Sequence, residues 1–242
     1  MSLLSTLATD DSIANERDSI GNVPLESGLY DFEVELAYIN KAPSGALGLN
    51  VVFKTEDGKD LRQTLWMTSG QAKGGKNYYE KDGKKNYLPG FLMANSLALL
   101  TIGQEISALE TETKVISLYS HEAKAEVPTK VEMVMDLLGK RILAGVIKQV
   151  VDKTKKNEAG GYDATGETRE ENEIDKFFRA SDRKTTAEIR AQAEEATFCN
   201  TWEKKWAGKT KDRAKGSASG TAGAPKGAAP GAGKKPTTSL FG

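Results

Sequence analysis

From Gly28 to Asn40 the apolar side chains occupy every second position, Tyr30, Phe32, Val34, Leu36 and Tyr38, with Asp31, Glu33 and Glu35 between them. A period of two belongs to a strand with one face in a core and the other in water. Lys41-Ala-Pro-Ser-Gly45 breaks this strand, and Leu47, Leu49, Val51 and Phe53 alternate through a second. Asp57-Gly58 supplies a hairpin turn, because glycine accepts the left-handed backbone that such turns need. Leu61 to Thr68 follows as a third strand, with Arg62, Thr64 and Trp66 on one face. A meander of three strands is therefore expected before residue 69.

Beyond it, Phe91 to Gly103 reads as a helix whose Leu92, Ser96 and Leu99, with Leu88 and Ile102, lie along one side, and Gly103 suits its C-terminal cap. Gln104 to Pro128 is mixed and has the look of an insertion holding one short strand, Lys114 to Tyr119. Val131, Met133, Met135 and Leu137 alternate again, Gly139 turns the chain, and Arg141 to Val151 is rich in β-branched residues. The order strand, strand, strand, helix, strand, strand is that of the five-stranded oligonucleotide/oligosaccharide-binding (OB) Greek-key barrel with an inserted helix, which holds single strands across its second and third strands. A small barrel with another task is the alternative, since a fold does not set a function.

Between the third strand and the helix lies Ser69 to Phe91, with Lys73, Lys76, Lys81, Lys84 and Lys85 against Glu80 and Asp82, and with Tyr78, Tyr79 and Tyr87 interleaved. Ammonium groups beside flat rings suit a sequence-tolerant single-strand binder, because every nucleotide carries a charge and every base a face. The candidate nucleic-acid residues are Arg62, Trp66, Lys73, Lys76, Tyr78, Tyr79, Lys84, Lys85 and Tyr87. A solvated hairpin tip is the plainer reading of the same residues. Formal net charge is zero over 242 residues, but its distribution is uneven: Ala207 to Gly242 holds seven basic residues and one acid, and Met1 to Glu35 eight acids and Arg17 alone. A local binding surface fits that patchwork better than a general polyanion coat.

Three stretches carry a family resemblance: Gly28-Leu-Tyr-Asp-Phe-Glu-Val, Leu65-Trp66 with the lysine-tyrosine segment and the Asn95-containing helix, and Gly139-Lys-Arg-Ile-Leu leading to Asn172-Glu-Ile-Asp-Lys-Phe-Phe178. Over about Leu25 to Arg179 the chain resembles phage-encoded single-stranded DNA-binding proteins of the barrel type. The resemblance implies a role in phage DNA replication or recombination, with single-stranded DNA as the partner. It departs at the C-terminus: many such proteins end in an acidic tail with an aromatic tip, whereas this chain ends in a basic Gly/Ala/Pro-rich segment.

Asp152 to Glu173 reads as a flexible loop, with Tyr162 as an extra stacking residue. Ser181 or Thr185 can cap a helix running to about Trp206, in which Phe198, Trp202 and Trp206 form a packing stripe. The expected divisions are an acidic arm at 1–24, the barrel at 25–180, the helix at 181–206 and a disordered basic tail at 207–242. The tail's apolar tip, Leu240 and Phe241, is similar to peptides that hook replication proteins onto a sliding clamp, so a clamp or polymerase is the candidate protein partner. An adaptor docking through that tip is the reading from a different class.

Enzyme chemistry finds little purchase. Gly70 to Lys76 matches Gly-x-x-x-x-Gly-Lys, but Asn77 stands where a hydroxyl should hold magnesium. His121 is the one histidine and Cys199 the one cysteine, so neither a disulfide nor spaced metal ligands are expected. A magnesium-dependent nuclease remains open, although no carboxylate spacing singles itself out. No catalytic residue, metal or cofactor is assigned. With no signal-peptide pattern and no long apolar span, a cytoplasmic location is expected.

Overall fold

In the computed structural model of the chain, the described residues are 23–120, 123–157 and 161–215. The fold is mainly β. Its strands are β1 (Gly28–Lys41), β2 (Leu47–Thr55), β3 (Asp60–Trp66), β4 (Tyr78–Lys81), β5 (Lys84–Tyr87), β6 (Glu112–Ser120), β7 (Ala125–Met133), β8 (Arg141–Lys156), β9 (Tyr162–Phe178) and β10 (Thr210–Asp212). The helices are α1 (Pro89–Thr101), α2 (Thr186–Arg190) and α3 (Thr197–Trp206). Eight strands form one sheet, antiparallel except where β10 runs parallel to β8, and β4 with β5 forms a separate hairpin. The described residues divide into two units, one within 23–150 with 170–212 and the other within 151–169 with 213–215.

The meander is as the alternation predicts, with one change. The register of β1 on β2 shifts between Val34 and Leu36, so Glu35 is an extra residue. An inserted residue reverses which side chains face inward from that point on. Phe32, Val34 and Ala37 are therefore buried, while Leu36 and Tyr38 move to the outer face expected to be polar. The core is held by Phe32, Phe53 and Phe177, with successive ring centroids 5.7 and 5.6 Å apart, and by Leu97 of α1 and Ile142 and Val146 of β8.

Helix α1 opens on Pro89, whose fixed φ suits the first turn, and closes as Gly103 (φ 83°) donates to the Ala98 and Leu99 carbonyls. Its buried side is Ala94, Leu97, Ala98 and Leu100, not the expected Leu92, Ser96 and Leu99; Leu92 is 48% exposed. Almost every position of α1 is apolar, so periodicity could not choose a face, and the two small alanines set the one that approaches the sheet. Gly90 fixes the approach: a Cβ there would lie 2.2 Å from the Trp66 carbonyl oxygen.

Several other expectations are corrected. The strand expected at Lys114–Tyr119 is present within β6 and pairs with β7, but β7 ends at Met133 because Met135–Leu137 coils into a 3₁₀ turn. Of the loop expected at 152–173, residues 152–156 belong to β8 and 162–173 to β9, where Thr154, Thr165 and Thr168 favour extended backbone and charges pair across the ladder, as Lys153 does with Glu167 at 2.9 Å. The single C-terminal helix is two helices, and residues 210–212 of the expected disordered tail are β10. The stripe packs as expected, most deeply at Trp202, which is buried over Gly145 and whose indole N–H donates to Asp175 at 2.7 Å, while Trp206 is partly buried against the same cluster and Phe198 lies 6.3 Å from Phe178.

Backbone pairing leaves β3 and β9 unjoined. The Gln63 carboxamide spans the gap instead, accepting from the Ile174 N–H at 2.7 Å and donating to its carbonyl at 3.3 Å. Asn172 does the same for Leu25, at 2.7 and 2.8 Å. Each amide takes the place of a peptide unit, so the N–H and C=O of Ile174 and of Leu25 are satisfied without a ladder.

Candidate nucleic-acid interface

The lysine-tyrosine segment is built, not slack. Gln71–Lys73 makes one 3₁₀ turn, ended by Gly74 and Gly75 in the left-handed region. Ser69 and Lys76 clasp the base of this turn, N–H to carbonyl at 2.8 Å and N–H to hydroxyl at 3.0 Å. The Gln71 N–H donates to the Ser44 carbonyl at 2.8 Å, which ties the segment to the β1–β2 turn. From there the chain runs into β4, where a nucleotide-binding Gly-Lys loop would require a helix.

Within the hairpin, Tyr78 faces Tyr87, Glu80 faces Lys85, Tyr79 faces Asn86 and Lys81 faces Lys84. The strand period therefore places Tyr78, Lys85 and Tyr87 on one side and Tyr79 and Lys84 on the other. A groove of about 890 Å³ runs beside the hairpin, lined by Trp66, Lys73, Lys76, Tyr78, Tyr79 and the Leu88–Gly90 start of α1. Five of the nine sequence-predicted residues meet there. Trp66 is 42% and Tyr79 45% exposed, and the Trp66 ring lies across Gly48, where a Cβ would come within 2.9 Å of it.

The other four are placed differently. Lys85 and Lys76 both stand over the Tyr78 ring, 5.0 and 5.4 Å from its centroid. Tyr78 is thus a holder of cations as much as a stacking surface. Tyr87 packs on Phe91 at 5.0 Å and remains 56% exposed, outside the groove, and Lys84 sits at the hairpin's far end. Arg62 shares the outer face with Trp66 but lines a separate cleft with Glu170 and Glu171, roughly 13 Å along the strand. Leu240 and Phe241 lie outside the described residues, as does His121.

One residue was missed. Tyr38, turned outward by the β1 register shift, stands opposite Asn50, which in turn stands opposite Thr64 and accepts its hydroxyl. The row Tyr38, Asn50, Thr64 adjoins the row that ends in Trp66. The tyrosine was visible in the sequence, but its alternation assigned it to the core.

Some lysines elsewhere are matched, Lys54 to Glu35, Lys59 to Asp57, Lys114 to Glu112, and Lys148 to Glu26 and Glu170, while others such as Lys41, Lys130 and Lys140 stand singly among the described residues. Lys73, Lys76, Lys81, Lys84 and Lys85 are exposed, and no carboxylate of the described residues lies within ion-pair distance of them. Lys73 and Lys76, with Glu80, line a groove that also exposes an indole and a phenol, and Lys81, Lys84 and Lys85 lie on the neighbouring hairpin, so this surface can take a chain of negative charges with aromatic groups between them. By contrast, burial pushes the Cys199 thiol up, and the described residues hold no group of three His, Cys, Asp or Glu side chains set for a metal ion. No described helix is long and apolar enough to cross a membrane. Compared with known proteins, the chain matches no protein-family model and no curated protein sequence.

Proposed function

We propose that the chain binds single-stranded DNA without strong sequence preference, in the groove beside the β4–β5 hairpin, and serves phage DNA replication or recombination. The unpaired lysines around exposed Trp66 and Tyr79 carry this reading. Phosphates neutralise the ammonium groups, and bases stack on the two exposed rings. We read β1, β2, β3, β8 and β9 as an OB barrel. Its support is that β3 and β9 run in the same direction at the seam bridged by Gln63, with α1 entering after the third strand. The resemblance to phage single-strand binders points the same way.

The test is equilibrium binding of the full chain to a labelled single strand and to the same sequence as duplex, at two salt concentrations, without divalent metal. Salt-sensitive binding that favours the single strand supports the proposal. Equal affinity for duplex, or none at low salt, overturns it; an RNA strand of the same sequence decides the sugar preference.

A further inference from the structure

Beside the groove lies a second concavity, of about 450 Å³. Its apolar walls are Ile39 of β1, Met67 after β3, Phe91 of α1, and Ile106, Leu109 and Val134. Ile39 packs toward the core through the same register shift that turns Tyr38 out. Asn95 of α1 holds the Ile106 wall in place, its carboxamide oxygen accepting from the Ile106 N–H at 2.9 Å. Concave, mostly apolar and with few polar groups, the space has the make-up of a small-ligand site.

Thr68, Lys76 and Tyr78 line both this cavity and the groove, so the two spaces share a wall. The next residue, Asn77, lines the cavity only. Its main-chain carbonyl accepts from the Leu88 N–H at 2.8 Å, which fixes its position, while its half-buried carboxamide has no hydrogen-bond partner among the described residues. An amide with its donors and acceptor open beside apolar walls is set to meet the edge of a flat polar ring.

We propose that the cavity receives one base of the bound strand, swung out of the groove past Lys76 and Tyr78, with its edge on the Asn77 carboxamide and its faces on the apolar walls. The inference rests on the proposed strand binding and deepens it. Continuity with the groove names the occupant, because the flanking phosphates stay with Lys73 and Lys76 while the base crosses the shared wall. Each base carries a donor beside an acceptor: N6–H and N1 of adenine, N4–H and N3 of cytosine, N3–H and O4 of thymine, N1–H and O6 of guanine. A carboxamide that can turn over meets all four, so the site selects an unpaired base without selecting which one. In a duplex the same atoms are held by the opposite strand, and the cavity thereby adds to the preference for single strands.

The test is irradiation of the full chain with a thymidine strand carrying 5-iodouracil, without divalent metal, followed by mapping of the attached residue. Attachment is expected at Met67 or Phe91 as well as at Trp66 or Tyr79. Asn77→Leu should weaken single-strand binding at least about fivefold, the lower end for a lost pair of base-edge bonds, with the melting temperature unchanged. Ser107→Trp, at an exposed position of the cavity lining, should abolish attachment at Met67 and Phe91 and keep it at Trp66. Attachment confined to Trp66 and Tyr79, or an Asn77→Leu variant that binds as the wild type does, would overturn the base site and leave the groove standing. A wild-type chain that binds no single strand would overturn both.

Discussion

Trp66 and Tyr79 are the two largely exposed rings that line the groove. Truncating either to alanine should weaken single-strand binding by about 1–3 kcal/mol, the range for one lost base stack, and leave thermal stability nearly unchanged. Fluorescence titration beside a melting curve separates the two effects. Gly90→Ala should behave in the opposite way. Its new methyl group meets the Trp66 backbone, and relieving that overlap costs about 1–3 kcal/mol of stability, read as a lower denaturant midpoint. At this scale the sequence was informative for chemistry and poor for geometry. The types of residue gathered around the groove were legible, but Arg62 was grouped with Trp66 by strand parity although four residues of strand carry it away. Tyr38 was lost for a like reason: the outward or inward sense of a side chain depends on every residue before it in the register, and Glu35 leaves no local mark as the extra one.

Among the elements, α2 and α3 show how a single side chain can hold two helix starts. Glu188 accepts from the Thr185 N–H and hydroxyl at 2.9 and 3.0 Å, closing a capping box, and from the Phe198 N–H and Thr197 hydroxyl at 2.8 and 3.2 Å. Burial alone would raise its carboxyl pKa, but these four donors outweigh it and hold the value below the ordinary range. A carboxylate depressed in the folded state contributes stability that is present above its unfolded pKa and lost as pH falls through the folded one. Glu188→Gln should therefore cost about 1 kcal/mol near neutral pH, and the gap between wild type and variant should narrow as the pH is taken below 4.5. Paired thermal melts across that range test the sign. Helix and strand identities were legible from period and turn residues. What was not legible is continuity: nothing in 191–196 announces a break as a proline would, and a charged hairpin such as 152–168 has no apolar face to give it away.

For the whole molecule, zero net charge conceals an uneven distribution, with five lysines gathered between residues 73 and 85 that lack an ion pair among the described residues. Binding should follow salt with a slope of roughly 3.5 in log–log form if all five hairpin lysines engage, at ~0.7 per phosphate. Replacing Lys73 and Lys76 by glutamine should lower that slope by roughly 1.4 without removing the preference for single strands. The long β8–β9 extension adds no residue to either hydrophobic cluster. Replacing 152–168 with a tight turn should leave the melting temperature of the body within a few degrees.

The carboxamides of Gln63 and Asn172 also give the molecule a place to age. Each donates to a main-chain carbonyl, and each is chemically capable of losing ammonia. Hydrolysis of either would set a carboxylate against a main-chain carbonyl oxygen, turning a bond into a repulsion at Ile174 or at Leu25. A stored preparation should thus first gain an acidic isoform whose amides near Leu25 and Ile174 exchange faster with solvent. Wear of the covalent chain, with no change in its genetic sequence, would loosen the seam between β3 and β9 when it strikes Gln63, and the hold of β9 on Leu25 when it strikes Asn172.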